Sequence, residues 1–254
     1  MEPWKIAVIA ALGFGIIGFG KVVNTPPGPV DPISNTAVNP VGVQPTPGPP
    51  ANFAKYMGAT LPAWPTVTQW ANTPGPVNLG SLKGKMVLLE VFRIECSHCQ
   101  EAAPFLVKLH ARYAPRGVDF VGIQSPGAIT DPANPEINWA TVQKWIKTQG
   151  YTWPVGFDAN SAWFQGKFGK NVSYPSLFLF DKSGKIVFIQ SGHNTDKAMD
   201  LIAELEHIAP GQGDVKAQAT DLSRFLSPAL GIRNDAKSQQ SLTDDFVARL
   251  NAIH

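Results

Sequence analysis

The two cysteines of this chain, Cys96 and Cys99, lie where a predicted strand passes into a predicted helix. The strand is the apolar run 86–94, which is typical of a central strand buried on both faces. The helix is the pattern over 100–113, in which apolar residues recur at helical spacing. Because a helix N-terminus carries a partial positive charge, it favours the thiolate form of a nearby cysteine. The C-x-x-C spacing at this junction therefore predicts a dithiol–disulfide redox site.

The places of the two thiols on the helix predict different roles for them. Cys96 lies at the exposed helix start and is predicted to be the nucleophile, while Cys99, one turn further in, is predicted to resolve the mixed disulfide. Ser97 and His98 separate them, and a protonated His98 would stabilise the Cys96 thiolate. Glu95 would act in the opposite direction. These three neighbours are therefore expected to tune the redox poise of the pair.

Other uses of a C-x-x-C pair fit this sequence less well. A zinc site would need two further ligands, and the haem-attachment motif fails because Gln100, not histidine, follows Cys99. A thiol metallochaperone stays open as a weaker interpretation, since two thiols can hold copper(I). The histidines available as further zinc ligands are scattered along the chain, at His110, His193 and His207. We therefore predict a site with no metal and no cofactor.

Glu90 interrupts the apolar strand, at a place where a buried carboxylate costs free energy. Burial would raise its pKa and make it a suitable base for deprotonating Cys99. The alternative is that Glu90 faces solvent or pairs with a cation such as Arg93. We predict a catalytic set formed by Cys96, Cys99 and Glu90.

Tyr174 and Pro175 precede another apolar strand, predicted over 176–180. Proline cannot donate a hydrogen bond to a sheet, so Pro175 is expected at the start of this strand. A cis peptide bond here would place the Tyr174 backbone beside the thiols, where a substrate chain could pair. Residue physics alone makes that geometry uncommon, since only about 5–6% of X–Pro bonds are cis.

The N-terminal segment 1–23 is predicted to be a transmembrane anchor. Its apolar stretch, residues 4–23, approaches the roughly 20 residues that a membrane helix needs. The alternative is a cleaved secretory signal, because residues 18–20 resemble a small-residue cleavage site. Either interpretation exports the remainder of the chain. A G-x-G-x-x-G match at 13–18 is assigned to small residues of this segment, because no strand precedes it as dinucleotide binding requires.

Further segments follow this N-terminal stretch. Residues 24–52 are a proline-rich, almost uncharged linker, which is expected to be extended and partly stiff. Residues 53–208 are predicted to be the folded domain, and 209–254 a C-terminal extension with short helices. In the extension, Ser241 is expected to cap a last helix that carries an apolar stripe. The stripe either docks on its own domain or offers a partner surface, and it consists of Phe246, Val247, Leu250 and Ile253.

Strands and helices alternate along the predicted domain, and a hairpin and a final helix follow. This order predicts an α/β fold with a mixed central sheet that is covered by helices on both faces. The strands are predicted at 86–94, 118–124, 153–157, 176–180 and 185–190, and the helices at 100–113, 139–149, 161–168 and 195–208.

Over residues 61–208 the chain resembles the thioredoxin fold. Within that fold it is similar to the TlpA/ResA-like membrane-anchored thiol–disulfide oxidoreductases, which share an inserted helix between strands. The likeness rests on a strand followed by Cys96-x-x-Cys99, on Pro104, on Pro175 before the hairpin, on the helix 139–149, and on the segments 118–125, 151–158 and 181–185.

The resemblance implies roles that the residues alone leave open. It implies that Pro175 is cis, that Tyr174 and Pro175 align the substrate, and that Glu90 takes the place of the family's buried acid. It also implies that the domain is held at the inner membrane and faces the periplasm or the outside of the cell. The chain departs from the family where Glu95 replaces an aromatic residue and Arg93 a small one, and where Ser97-His98 replaces Gly-Pro or Glu-Pro. These departures are expected to narrow substrate choice or to shift the redox potential.

Together these features predict a membrane-anchored periplasmic thiol–disulfide oxidoreductase that acts on cysteines of exported proteins such as apocytochromes. It would need a membrane electron donor, and residues 4–23 would lie in the lipid bilayer. The net charge of +2 gives no reason to expect a nucleic acid partner. Whether the protein reduces, oxidises or isomerises disulfides stays open. The alternative is a non-catalytic accessory subunit of a larger membrane complex, because the anchor, linker and C-terminal helix are suited to wrapping a neighbour.

Overall fold

A six-stranded mixed sheet forms the centre of the computed structural model, which describes residues 49–60, 67–126, 137–159 and 161–253. The order of the strands across the sheet is β1-β4-β3-β2-β5-β6. Strand β3 runs parallel to β2 and β4, whereas β5 is antiparallel to β2 and β6, and β1 to β4. The strands are β1 Trp70–Ala71, β2 Met86–Phe92, β3 Val118–Gln124, β4 Val155–Phe157, β5 Ser176–Phe180 and β6 Ile186–Ser191.

The predicted anchor 1–23 and nearly all of the linker 24–52 lie outside the described residues. Residues 49–52 lead into a 3-10 turn at Ala54–Tyr56, and the preceding Phe53 is fully buried. Within the described ranges, no helix is both long enough and apolar enough to cross a membrane.

The helices begin and end close to their predicted positions. Helices α3 and α5 have the predicted bounds, and each begins after an asparagine N-cap, Asn138 and Asn194, whose side chain accepts a backbone hydrogen bond at 3.0 and 2.9 Å. Helix α2 begins three residues before its predicted start, and α4 three residues after. The helices are α1 Leu79–Leu82, α2 Ser97–Tyr113, α3 Trp139–Gln149, α4 Phe164–Phe168, α5 Thr195–Ile208, α6 Val215–Leu226 and α7 Ala236–Ala252.

Strand β2 is buried along its entire length because helices cover both of its faces. Leu88 and Phe92 pack toward α2, α3, α5 and the C-terminal helices. Val87 and Leu89 point the other way and pack toward α4 and Phe53. The alternation along one strand thus serves two apolar cores, and the predicted mixed sheet with helices on both faces is confirmed.

The C-terminal extension packs on the same side of the sheet as α2 and α5. Phe246 and Leu250 of α7 are buried there, together with Leu222 of α6. Val247 and Ile253 are partly buried against the same core. The predicted apolar stripe therefore docks on its own domain.

The start of α7 differs from the prediction. Asp235 accepts a hydrogen bond from the Ser238 backbone N at 2.9 Å and caps the helix six residues earlier than expected. Ser241 therefore lies inside α7 and is not its cap. The extension was predicted to hold short helices, but the position of α6 was not predicted, although Asp214 provides its N-cap by the same kind of contact at 2.8 Å.

Ion pairs join α2 to α5 and to the first helix of the extension. The fully buried carboxylate of Glu206 in α5 accepts hydrogen bonds from Arg112 at 3.2 Å, from Arg116 at 2.9 Å and from the Tyr113 hydroxyl at 2.7 Å. Arg112 also pairs with Asp221 of α6 at 2.7 Å. One carboxylate thus joins α5 to the C-terminal end of α2, and one guanidinium joins both helices to α6.

Helix α7 is attached to α5 through Arg249. Its guanidinium pairs with the buried carboxylate of Asp200 in α5 and with Asp245 of its own helix at 3.1 Å. Burial raises the pKa of Asp200, and Arg249 opposes that shift. The contact keeps a buried charge on α5 balanced by a charge on α7.

Glu204, one turn after Asp200 on α5, makes the stability of the folded state depend on pH. Burial and the charge of Asp200 raise the pKa of Glu204 from 4.5 to about 7. As the pH rises from 4.5 to 7, the unfolded chain releases this proton while the folded state keeps it, so the folded state loses stability. The contribution is complete below about pH 4.5 and absent above about pH 7.

The exchange Glu204→Gln is therefore expected to raise the thermal midpoint at pH 8 by roughly 2–4 °C, or about 1 kcal/mol after allowance for partial exposure. Little change is expected at pH 4, where both side chains are neutral. Thermal unfolding of both chains at the two pH values measures the difference. Asp244→Asn, on the exposed face of α7, is the matched control. An equal gain at pH 4 and pH 8 would contradict the assignment.

Candidate active site

Cys96 and Cys99 occupy the junction between β2 and α2. Cys96 is the N-cap residue of α2, with extended backbone angles (φ −86°, ψ 121°). Its carbonyl oxygen accepts from the backbone N of Cys99 at 3.1 Å and of Gln100 at 3.0 Å. Both cysteines are free thiols, and Cys96 is partly exposed whereas Cys99 is fully buried. The N-terminal thiol is therefore the one that a substrate can reach.

The turn between β2 and α2 is held in place by backbone and glutamine contacts. The backbone N of Cys96 donates to the Arg93 carbonyl at 3.2 Å. Ile94 donates to the Gln124 side chain at 3.1 Å and accepts from the Gln100 side chain at 2.8 Å. Neither glutamine was predicted as a site residue. The only available signal was a polar residue at the end of a buried strand or just after the motif.

The peptide bond between Tyr174 and Pro175 is cis, as the resemblance implies. Strand β5 begins directly after it and pairs antiparallel with β2, which brings this bond to the thiols. The Cys96 thiol donates to the Tyr174 carbonyl oxygen over an S–O distance of 3.7 Å. The reachable thiol and the Tyr174 backbone are thus in contact, although they lie 78 positions apart in sequence.

Glu90 lies in β2 on the face that packs under α2, and only 3% of its surface is exposed. The Tyr151 hydroxyl donates to its Oε1 atom at 3.2 Å. Burial raises the pKa of Glu90 to about 8, and the hydrogen bond from Tyr151 works against that rise. The alternative in which Glu90 faces solvent is therefore wrong. Tyr151 was missed as a site residue, because the sequence does not show that it faces Glu90.

Cys99, Glu90 and Tyr151 form one electrostatically coupled group. Burial raises the pKa of the Cys99 thiol, the backbone of Arg93 opposes this, and the charges of Glu90 and Cys96 raise it further. Burial also raises the pKa of Tyr151, with added contributions from Glu90 and Cys99. Each of these groups therefore resists ionisation while another is charged, so a proton held among them is strongly retained.

Ser97 and His98 lie in the exposed first turn of α2. The charge of His98 reaches His193, whose pKa is lowered first by burial and also by His98, whereas Glu101 opposes the shift. The His193 ring lies 5.4 Å from the Phe105 ring on α2. The sequence indicated His193 only as one of the scattered histidines, and the structure places it against the redox helix.

Arg93 and Glu95, the charged departures from the family pattern, pair with each other. The Arg93 Nε atom lies 2.7 Å from Glu95 Oε1. The Arg93 guanidinium carbon lies 5.3 Å from the centre of the Tyr174 ring. Arg93 is thus not the partner of Glu90, as one alternative had it. The influence of Glu95, Ser97 and His98 on redox poise stays a prediction.

The candidate zinc histidines lie in different surroundings. His110 packs against Phe120 and Trp153, with ring centres 5.1 and 5.0 Å away. His207 lies exposed near the end of α5. In the ranges that the structure describes, no three His, Cys, Asp or Glu side chains come together as metal ligands.

The fold and the thiols define a class of protein. A thioredoxin-like sheet, a C-x-x-C pair at a helix N-terminus and a cis-proline against the first cysteine characterise an oxidoreductase domain. The Redoxin family profile matches residues 58–205, more than half of the chain. The chain therefore belongs to the Redoxin family.

The chain is similar to two relatives, of which one, ResA, is named a thiol-disulfide oxidoreductase. It is 31% identical over 174 residues to Protein DipZ of Mycobacterium bovis, a match that covers 67% of this chain and 21% of that protein. It is 27% identical over 124 residues to Thiol-disulfide oxidoreductase ResA of Bacillus anthracis, covering 49% and 65%. The chain thus spans about a fifth of DipZ and just under two thirds of ResA.

A solved structure shares the fold. It is the solution structure of a candidate protein disulfide isomerase from Bacteroides thetaiotaomicron, with a TM-score of 0.51 and 20% identity. The match covers 61% of this chain and 91% of that chain. At this identity the likeness shows the thioredoxin-like fold alone.

Proposed function

We propose that this protein is a thiol–disulfide oxidoreductase in which Cys96 exchanges disulfides with substrate proteins and Cys99 resolves the mixed disulfide. One observation carries the proposal. A partly exposed thiol at a helix N-terminus lies beside a fully buried thiol, which is electrostatically coupled to the buried carboxyl of Glu90. The ResA relatives, named thiol-disulfide oxidoreductases, support the same chemistry. Tyr174 and Pro175 are proposed to align the substrate backbone beside Cys96.

In the reducing direction, two exchanges would move two electrons from the protein to its substrate. The Cys96 thiolate attacks one sulfur of the substrate disulfide, that S–S bond breaks, and the other substrate sulfur leaves as a thiolate that takes up a proton. The Cys99 thiolate then attacks the Cys96 sulfur. This forms the Cys96–Cys99 disulfide and releases the first substrate sulfur as a second thiol. A dithiol donor must reduce this disulfide before the next turnover.

Glu90 is proposed to accept the proton of Cys99 during the second exchange. Burial holds the Cys99 thiol in its protonated form, so its attack needs a base within the buried group. A carboxylate whose pKa is about 8 is a far stronger base than one at the ordinary value of 4.5. In the oxidising direction the same steps run in reverse, and Glu90 returns the proton to Cys99.

The proposed setting is the outer side of the inner membrane. Residues 4–23 of the sequence are apolar enough to form a single-pass anchor, and the linker 24–52 would hold the domain away from the membrane. In this proposal residues 53–208 form the thioredoxin-like domain, and residues 209–254 form its C-terminal extension. The substrates would be cysteines of exported proteins such as apocytochromes, and the electron donor would be a membrane protein.

A non-catalytic accessory subunit is the competing proposal. It drew support from the apolar stripe of α7, which could have faced a partner. Phe246 and Leu250 pack on the domain itself, so this ground is lost. The anchor and the proline-rich linker predicted for residues 1–52 remain its basis in the sequence.

Trapping of the mixed disulfide tests the proposed function. The Cys99→Ser variant of the 254-residue chain, purified in mild detergent and reduced, is mixed with insulin as a disulfide-containing protein. A covalent adduct is expected on non-reducing gels, because Cys96 attacks and no second thiol resolves the bond. Dithiothreitol should release it.

The Cys96→Ser variant is the matched control, since it keeps a single thiol that is fully buried and is expected to form no adduct. Equal adduct yields from the two variants would contradict the roles assigned to Cys96 and Cys99. If the wild-type chain does not exchange disulfides at all, the accessory-subunit proposal replaces the enzyme.

The reduction potential of the Cys96–Cys99 couple decides the direction of the reaction. The reduced and oxidised fractions can be measured by thiol alkylation after equilibration in glutathione buffers. A value near thioredoxin's roughly −270 mV would define a reductase, and one near about −120 mV an oxidant.

A further inference from the structure

A charged pair lies on the turn that delivers Cys96. Arg93 and Glu95 flank Ile94 between the end of β2 and the N-cap of α2, and their side chains meet at 2.7 Å. The Arg93 carbonyl also accepts the backbone N–H of Cys96 at 3.2 Å. The ion pair and the turn that fixes the nucleophile therefore share one residue.

The same guanidinium reaches across to the cis-proline loop. Its central carbon lies 5.3 Å from the centre of the Tyr174 ring, within the range of a cation–π contact. The Tyr174 carbonyl in turn accepts the Cys96 thiol at 3.7 Å. Glu95, Arg93, Tyr174 and Cys96 thus form a continuous chain of contacts that closes on the reactive sulfur.

The ion pair between Arg93 and Glu95 is partly buried, and its geometry suits a guanidinium. The side chains of Arg93 and Glu95 are 34% and 21% exposed, so the pair is partly shielded from water. A guanidinium is planar and can pair with a carboxylate at its edge while its face lies on an aromatic ring. A lysine ammonium carries the same charge but cannot make both contacts in that geometry.

We propose that Arg93, held by Glu95, is a positioning residue that clamps the Tyr174 ring and so fixes the backbone edge on which a protein substrate lies beside Cys96. This inference rests on the proposed thiol–disulfide exchange. The clamp acts on extended protein substrates, because only these need the Tyr174 backbone edge. A small disulfide needs only the Cys96 sulfur and is therefore indifferent to the clamp.

The test compares a protein disulfide with a small one on the same variants. For Arg93→Lys, KM for insulin reduction is expected to rise roughly two- to fivefold, the value of a partly exposed cation–π contact. The kcat for insulin and the rate with 5,5′-dithiobis(2-nitrobenzoate) should stay within about twofold, and the reduction potential should not move. Lys85→Met is the control, because it breaks an exposed ion pair with Asp119 at the opposite end of β2.

A double-mutant cycle separates the clamp from a general loss of structure. Tyr174→Leu removes the ring, and the pair Arg93→Lys and Tyr174→Leu should raise KM no more than the larger single effect. Additive effects, or equal losses with insulin and the small disulfide, would overturn the clamp. If the wild type is active and Arg93→Lys leaves KM for insulin unchanged, only the clamp is overturned. An inactive wild type would overturn both the clamp and the proposed function.

Discussion

Glu90→Gln is expected to slow the release of the mixed disulfide about 100-fold at pH 7, the lower range for loss of a positioned general base. Glutamine keeps the size of the side chain and can still accept the Tyr151 hydroxyl, but it cannot take the proton of Cys99. Rapid-quench kinetics with alkylation measures the resolving step by itself. Attack by Cys96 should change little, because that thiol is the partly exposed one.

The pH profile of the resolving step gives the second readout of Glu90. The pKa of Glu90 is about 8, so the wild-type rate should rise as the pH increases through 8 and the carboxylate forms. The Gln variant should lack this rise in rate. Tyr151→Phe should move the rise to higher pH, because the Tyr151 hydrogen bond lowers the pKa of Glu90. A wild-type profile that Glu90→Gln leaves unchanged would rule out the proton transfer.

A folding defect would not mimic this result. A carboxyl whose folded pKa is raised from 4.5 to about 8 withdraws stability as the pH rises through that window. Glu90→Gln should therefore be at least as stable as the wild type at pH 9. A slow variant with an unchanged or higher unfolding midpoint would locate the loss in the chemistry.

The largest loss of stability is expected for Glu206→Ala, at about 3–5 kcal/mol. The change removes the carboxylate on which Arg112, Arg116 and the Tyr113 hydroxyl converge. It takes this acceptor from all three donors and leaves Arg112, whose side chain is only 9% exposed, with Asp221 as its remaining ion-pair partner. Guanidinium unfolding of both chains measures the difference in the free energy of unfolding.

Asp221→Asn is the matched control for Glu206→Ala. Asp221 pairs with the same Arg112, but its side chain is 64% exposed, so the loss should stay below about 1 kcal/mol. As long as they are folded at 25 °C, both variants should still catalyse disulfide exchange. Equal losses in the two variants would contradict the larger contribution assigned to the buried carboxylate of Glu206.

The sequence predicted the elements whose signals are local. Strand β2 and helix α2 meet at Cys96 as expected, because an apolar run followed by helical spacing defines both without reference to the rest of the chain. Helices α3 and α5 have their predicted bounds for the same reason, since Asn138 and Asn194 cap them. The predicted start of α7 was wrong because Asp235, and not Ser241, caps this helix.

The contacts that complete the site could not be read from local patterns. Tyr151 lies 61 positions from Glu90, and Tyr174 lies 81 positions after Arg93, so the pairing of strands decides which side chains meet. The sequence marked Arg93 and Glu95 as unusual because they depart from a family pattern. It did not show that the two side chains pair with each other. Because they pair, they act on the site as one ion pair and not as two separate charges.

The attachment of the C-terminal helices bears on how this domain can be moved between proteins. The Redoxin match ends at residue 205, one position before Glu206, whereas α7 continues to Ala252. A fusion cut at the family border would sever the carboxylate that holds Arg112 and would uncover the apolar side chains under α6 and α7. The part of this chain that can be transplanted intact is thus longer than the part that the Redoxin profile matches. Chimeric redox proteins should carry it through Ala252.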